Sequence, residues 1–137
     1  MVSKQEIGAL ILRIVLGLIF FIHGLDKFQG GISNTVGFFE SIGVPGFLAY
    51  IVAVIELIGG LLLILGLGTK IVSILFVFIM IGAMFTVKFS AGFLDGFEFD
   101  LALLAMSVYV LLANRMAFSL ENIFFQSKQG YRKRAEV

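Results

Sequence analysis

Long apolar runs, separated by short polar stretches, dominate the pattern of this chain. Four of them, at residues 7–25, 47–67, 71–87 and 97–113, approach or reach the roughly 20 residues with which a helix crosses a bilayer. The runs are continuous and lack the apolar–polar alternation of barrel strands, so they predict helices. The expected fold is therefore all-α, an integral membrane four-helix bundle.

The segments between the runs complete the predicted organisation. Gly68-Thr69-Lys70 is short enough to make the second and third spans antiparallel neighbours. The longer loop at residues 26–46 is not purely polar, and residues 34–42 within it are expected to form a short interfacial helix capped by Ser33 or Asn34. Residues 1–125 are taken as one four-span domain, and residues 126–137 as a basic cytoplasmic tail.

The distribution of basic residues predicts the orientation. Lys27 and Lys88 fall on one side of the predicted membrane, and a larger set falls on the other side: Lys4, Lys70, Arg115, Lys128, Arg132, Lys133 and Arg134. Because the cytoplasmic side carries the excess of Lys and Arg, both termini are expected to be cytoplasmic.

The composition is typical of a membrane protein and excludes several kinds of site and partner. The chain is 60% hydrophobic and 14% charged, whereas soluble domains are about 45–50% apolar and about 25% charged. The absence of cysteine excludes disulfides, thiolate chemistry and cysteine-ligated metals, and one histidine without metal-ligand spacing predicts no metal site. A net charge of +1 predicts no nucleic-acid partner. The expected environment is the plasma-membrane bilayer.

Two charged residues fall well inside predicted spans, away from the span ends, where insertion costs about 2.5–3.5 kcal/mol and charges usually face the bundle interior. Counting helical rise from the span ends places Arg13 and Glu56 at similar depths, which predicts an ion pair between spans one and two. The pair is expected either to fix packing or to contribute to a ligand site. Nearby Gly17, Gly24 and Gly59-Gly60 are expected to bring these helices close together.

A second polar group gathers at the outer ends of the spans. His23 and Lys27 are separated by one helical turn, Lys88 ends the third span, and Glu98 and Asp100 begin the fourth. Several phenylalanines are expected beside them: Phe20, Phe21, Phe28, Phe85, Phe89, Phe97 and Phe99. This combination predicts a site for an aromatic or quinone-like ligand, with His23 as proton donor or acceptor.

Each of these polar residues also has a structural interpretation. Asp95-x-x-Glu98 has the form of a capping box, so Glu98 is equally expected to cap the fourth helix. Lys27 and Lys88 are long enough to reach the lipid headgroups. For His23, the structural alternative is a hydrogen bond to a neighbouring helix.

Ordered motifs extend through most of the chain. They are Arg13-x-x-x-Gly17, Phe21-Ile22-His23-Gly24-x-x-Lys27, Glu56-x-x-Gly59-Gly60, Phe97-Glu98-Phe99 and Ser119-Leu120-Glu121. In this order and spacing they resemble the DoxX family of small bacterial membrane proteins. Within that family, the chain is most similar to a branch of oxidoreductases associated with tolerance of catechols and quinones. The resemblance implies a redox-related role at the plasma membrane.

The leading hypothesis is a membrane oxidoreductase component linked to quinone or catechol detoxification under redox stress. His23, Lys27 and Glu98 are the expected catalytic group, while Arg13, Glu56, Lys88 and Asp100 bind the ligand or form the polar core. A membrane quinone is the expected cofactor or substrate, and electrons would come from a soluble or membrane redox partner. One alternative is a non-enzymatic scaffold subunit; the other is a homodimeric exporter of toxic aromatics, with Glu56 as the coupling acid.

Overall fold

The computed structural model describes residues 2–113 and 119–135, and this part of the chain is helical without strands. Arg115, used above to predict orientation, and the last two residues of the predicted tail lie outside the described residues. The helices are α1 (Lys4–Gln29), α2 (Ile32–Ser41), α3 (Phe47–Leu65), α4 (Thr69–Ala83), α5 (Glu98–Leu112) and α6 (Leu120–Ala135).

Three helical stretches, Lys4–Gln29, Phe47–Leu65 and Thr69–Lys88, are long and apolar enough to cross a membrane. They confirm the first three predicted spans as helices. The fourth apolar run forms α5, whose 15 residues rise about 22 Å, less than the roughly 30 Å of a bilayer core. The four-span bundle and the cytoplasmic location of the termini therefore stay predictions.

Helices α1 and α3 lie antiparallel in backbone contact. A Cβ atom at Gly17 would lie 2.7 Å from the carbonyl oxygen of Gly60, and one at Gly24 would lie 2.5 Å from the backbone nitrogen of Leu57. Small residues permit such close approach in membranes, where helix association depends on van der Waals packing. The expected role is confirmed for Gly17, Gly24 and Gly60, whereas Gly59 faces Val72 and Phe76 of α4. The contacts between α1 and α3 fix the axial register of the two helices.

Aromatic stacking joins α1 to α4 at the centre of the core. The rings of Phe20 and Phe76 stack at 3.7 Å between centroids with an interplanar angle of 18°. Leu16, Leu63 and Val110 are fully buried around them, and α5 packs along α4 and touches α1. Large apolar side chains on the outer faces are exposed, as expected where lipid replaces water.

The connection from α4 to α5 departs from regular helix. Residues Met84–Lys88 form a π-helical turn, and the segment Phe93–Phe97 is sharply kinked. Gly92 has φ of 83°, and Asp95 has φ of 56°, an uncommon value for a residue with a side chain. This compact turn brings the start of α5 back beside the end of α4.

The C-terminal helix is attached to the turn between α3 and α4. Ser119 is buried against Gly66, and the backbone N–H of Glu121 donates to the carbonyl oxygen of Gly66 at 3.1 Å. Gly66 has φ of 73°, so the left-handed turn and the close contact both favour glycine. The tail that sequence analysis placed at residues 126–137 is helical through Ala135.

We expect Gly17→Ala to destabilise the protein while Gly8→Ala does not. Both residues lie in α1, but the added methyl at Gly17 meets the Gly60 backbone, whereas a Cβ at Gly8 has nothing within 4 Å. Overpacking typically costs about 1–3 kcal/mol, while alanine in an open helical position is neutral or favourable. Thermal unfolding of both variants in detergent, followed by circular dichroism, measures the difference. Equal stability would contradict the backbone contact.

Candidate functional site

A cavity of about 580 Å³ lies between the helices, bounded by residues of α1 to α5 and of the π-helical turn. Most of its lining is aliphatic or aromatic. The polar side chains that reach it are His23, Lys27, Glu56, Thr86, Lys88 and Asp100. A mainly apolar cavity of this size with a few convergent polar groups has the character of a site for a small organic ligand.

An ion pair joins α1 to α3 in the cavity wall. Lys27 Nζ lies 2.6 Å from Glu56 Oε2. Glu56 is only 5% exposed, while the Lys27 side chain is 22% exposed. A carboxylate at this depth requires a partner, because an unpaired buried charge costs several kcal/mol. Lys27 supplies both the opposite charge and a hydrogen bond.

The predicted Arg13–Glu56 ion pair is wrong. Arg13 is buried, with 1% exposure, but its guanidinium group lies beside Gly66, 3.0 Å from where a Cβ at that residue would stand. Gly66 follows the end of α3 and is about 15 Å along the helix axis from Glu56. Arg13 thus belongs to the polar core at the opposite end of the helices from the cavity.

The register of α1 against α3 explains this correction. Gly24 packs against Glu56 and Leu57, so the partner for Glu56 must come from the last turns of α1. The depth estimate assumed that α1 begins at residue 7 and that both helices fill the bilayer equally. Instead, α1 starts at Lys4, where Ser3 and Glu6 form a reciprocal capping box, and continues to Gln29.

Asp100 provides a second buried carboxylate at the cavity. It is 6% exposed, and its Oδ2 atom has no hydrogen-bond partner within the described residues. Lys88 and His23 are both close enough to act electrostatically on Asp100, and His23 also acts on Glu56. A buried acceptor without a partner requires a donor, so Asp100 is suited to receive a hydrogen bond from a ligand.

Glu98 and most of the expected aromatic residues lie away from the cavity. Glu98 Oε1 accepts a hydrogen bond from the backbone N–H of Asp95 at 3.3 Å, which is one of the two bonds of the predicted capping box, but α5 begins after Phe97 without a side-chain cap. Glu98 does not line the cavity. Phe20 and Phe99 do line it, and the ring of Phe99 lies 5.9 Å from that of His23. Phe85, Phe89 and Phe97 form a separate chain of edge contacts around the α4–α5 turn.

The π-helical turn contributes three consecutive residues, Thr86, Val87 and Lys88, to the lining of the cavity. A regular helix presents adjacent residues about 100° apart, whereas the wider π turn changes these directions locally. The Thr86 hydroxyl donates to the carbonyl oxygen of Gly82 at 2.7 Å, which satisfies a backbone group near the irregular turn. Lys88 is thereby placed near Asp100.

The contribution of α2 to the cavity was not predicted from the sequence. The predicted interfacial helix exists, but it begins after Gly31 and has no side-chain cap; Asn34 Nδ2 instead donates to the carbonyl oxygen of Gly30. Phe38 and Phe39 of α2 form part of the cavity lining. The signal available in the sequence was an apolar pair in a helix directly connected to the span that carries His23 and Lys27.

The cavity also has residues that face outward. Ile51 of α3 and Phe78 of α4 line it while remaining exposed, Phe78 to 69%. Both helices are candidate membrane spans, so their exposed apolar side chains face lipid. The cavity therefore reaches the lipid side of the protein at Ile51 and Phe78.

Comparison with known proteins identifies the class. The DoxX family profile matches residues 8–89, more than half of the chain. The chain belongs to the DoxX family and is a multi-pass protein of the bacterial plasma membrane. The matched region contains α1 to α4 and the π-helical turn, which together supply every polar cavity residue except Asp100.

Two relatives match across most of the chain. It is 48% identical over 125 residues to a Bacillus subtilis protein named "Putative oxidoreductase CatD", covering 91% of this chain and 92% of that one. It is 31% identical over 125 residues to "Uncharacterized membrane protein Rv3486" of Mycobacterium tuberculosis, covering 80% and 77%. "Inner membrane protein YqjF" of Escherichia coli is 33% identical over 70 residues, about half of each chain. No solved structure matches the chain.

We expect a double-mutant cycle to find coupling between Lys27 and Glu56 and none between Arg13 and Glu56. Lys27→Met should cost about 3 kcal/mol, near the lower end for a buried pair because Lys27 is partly exposed. Lys27→Met combined with Glu56→Gln should recover part of that loss. Arg13→Met and Glu56→Gln should be additive, since widely separated sites rarely couple. Chemical denaturation in detergent measures these values, and coupling of Arg13 with Glu56 would contradict the register.

Proposed function

We propose that this protein is a membrane oxidoreductase component that binds a quinone or catechol in the cavity between its helices. The observation that carries the proposal is the position of Asp100, a buried acceptor whose Oδ2 atom has no partner within the described residues. It lies in a mainly apolar cavity that also contains His23 and the Lys27–Glu56 pair. The name of the Bacillus subtilis relative supports an oxidoreductase role.

In the proposed complex, the aromatic ring of the ligand lies between apolar side chains, near Phe20 and Phe99. A hydroxyl of the reduced, dihydroxy form donates a hydrogen bond to Asp100, which satisfies its buried oxygen. Lys88 and Lys27 stabilise the oxygen atoms of the oxidised form, since positive groups favour developing negative charge. The two redox forms thus have different preferred polar partners within one cavity.

The chemistry requires both electron and proton transfer. Reduction of a quinone to the hydroquinone consumes two electrons and two protons, and oxidation of a catechol to the quinone releases the same number. We assign the electrons to a redox partner protein or to the quinone pool. His23 is the proton donor or acceptor at the ligand, with Asp100 and Glu56 as neighbouring groups that interact with it electrostatically.

Lateral access from the bilayer fits such a ligand. Quinones and substituted catechols partition into lipid, and the cavity reaches the lipid side through exposed Ile51 and Phe78. A ligand that enters there loses little water on binding, because both environments are apolar. The polar groups of the cavity then determine its orientation.

The membrane arrangement in this proposal has four spans with both termini in the cytoplasm. Helix α5 is the fourth span, because it packs along α4 and is mostly apolar after its first turn, from Leu101 to Leu112. Its short length is accommodated by local thinning of the bilayer or by tilt of the neighbouring helices. The basic residues at the α3–α4 turn and in α6 then lie on the cytoplasmic side.

Binding of a short-chain quinol and of catechol to the purified full-length protein tests the site. We expect Asp100→Asn to weaken quinol binding about tenfold, because a hydrogen bond to a charged acceptor contributes about 1.5–3 kcal/mol. Glu98→Gln removes an acid two residues away that does not line the cavity, and it should leave binding unchanged. Isothermal titration calorimetry in detergent measures both. Equal effects of the two variants would exclude Asp100 as the ligand acceptor.

Physiological experiments separate the alternatives. Absence of binding in the wild-type protein, together with unchanged growth of a deletion strain under quinone stress, would overturn the proposal. A scaffold role predicts that His23→Ala complements the deletion fully. An exporter predicts transport of the aromatic compound by proteoliposomes under a proton gradient, with loss of transport in Glu56→Gln.

Reporter fusions test the membrane arrangement. A fluorescent protein that folds only in the cytoplasm should fluoresce at either terminus, while alkaline phosphatase at the same positions should remain inactive because it requires the outer side. If α5 does not cross the membrane, the two termini will give opposite results.

A further inference from the structure

One side of α6 is an exposed apolar stripe. Leu120, Ile123 and Phe124 recur at the spacing of one helical face, and the small residue Ser127 follows on the same face. Their side chains are exposed, and within the described residues α6 makes no extended contact with another helix. Water is a poor environment for this stripe, so the helix requires a partner surface.

Cations lie within and beside the stripe. At about 100° per residue, Lys128 falls just beyond the edge marked by Phe124, and Arg134 falls between Ile123 and Ser127. Both cations are exposed. The opposite side of the helix carries the polar residues Asn122 and Gln129, with exposed Phe125 next to them. An apolar stripe accompanied by basic residues is typical of helices that lie at the surface of a membrane.

The beginning of α6 is held at the level where the apolar helices end. Ser119 packs against Gly66, which terminates α3, and the Glu121 N–H binds the Gly66 carbonyl oxygen. Helix α4 begins three residues after Gly66, with exposed Lys70 in its first turn. Because α3 and α4 are candidate membrane spans, this attachment places the start of α6 at the edge of the bilayer.

We propose that α6 docks on the bilayer surface through anionic phospholipid headgroups. Its apolar stripe enters the boundary between headgroups and acyl chains, while Lys128 and Arg134 bind phosphate groups beside it. Long basic side chains keep their stems on apolar surface and their charges in the headgroup layer. This role is independent of the ligand proposed for the cavity.

Charge complementarity favours lipid over a second copy of the chain. Apart from Glu121 in its first turn, the charged residues of α6 are all basic. Pairing two such helices side by side would bring these like charges together. Anionic headgroups instead neutralise these cations at the place where the helix begins.

The natural absence of cysteine allows a direct test with the full-length protein. Ser127→Cys places an environment-sensitive fluorophore on the apolar stripe, and Gln129→Cys places the same label on the opposite face. Each protein is reconstituted in nanodiscs of phosphatidylcholine alone or mixed with phosphatidylglycerol, which leave both membrane faces accessible. With phosphatidylglycerol at low salt, we expect blue-shifted emission and protection from an aqueous quencher at position 127 only. High salt should reduce both effects.

Charge variants identify the groups responsible. Lys128→Gln should lower the ratio of docked to undocked helix about fivefold, given the usual contribution of one basic residue near an anionic surface. Lys70→Gln removes one charge at the same end of the molecule, outside α6, and should leave the fluorescence at position 127 unchanged. Equal quenching at positions 127 and 129 in every nanodisc would overturn the proposal. Protection at position 127 that is identical in neutral and anionic nanodiscs would assign the stripe to protein contact, a second copy included, and would also overturn it.

Discussion

The backbone contact between α1 and α3 determines what the rest of the molecule is able to do. At Gly17, Gly24 and Gly60, the two helices approach so closely that even a methyl group would meet the opposite backbone. This contact fixes how far one helix is displaced along the other, and Lys27 consequently meets Glu56. In lipid, a carboxylate without such a partner would be costly, so the small residues and the ion pair depend on each other. The same arrangement places the Lys27–Glu56 pair in the wall of the cavity.

The helices follow from the sequence more directly than their relative positions. Continuous apolar runs predict the spans because each backbone polar group in lipid must be satisfied within its own segment. The pairing of Arg13 with Glu56 failed because apolar patterning specifies which residues are helical but not the axial offset between two helices. That offset depends on atomic contacts such as Gly24 with Leu57, and an error of about three turns in the offset is enough to exchange one cation for another.

The candidate site was predictable only in part, because sequence spacing shows which residues share one end of the molecule but not which side chains reach the cavity. His23 and Lys27 share one helical face, and Lys88 and Asp100 flank a short connection, so sequence spacing alone brings them to one end of the molecule. Glu98 shares that location, yet its carboxylate binds the backbone of Asp95. The choice between capping and cavity depends on side-chain direction after the kink at Phe93–Phe97. The wall formed by α2 likewise requires knowledge of how a surface helix folds back onto the spans.

The π-helical turn at Met84–Lys88 has a consequence for how this chain tolerates change. Such a turn accommodates one extra residue within nearly the same axial length. The direction of the side chains that follow it can therefore change without a change in the packing of the helix before it. Loss of a single residue there would return α4 to a regular helix and rotate Lys88 by about 100° around the axis. The hairpin between α3 and α4 would keep its geometry, while the polar lining beyond the turn would be reoriented. A deletion in this short stretch would therefore change the polar lining of the cavity without rebuilding the membrane-embedded core.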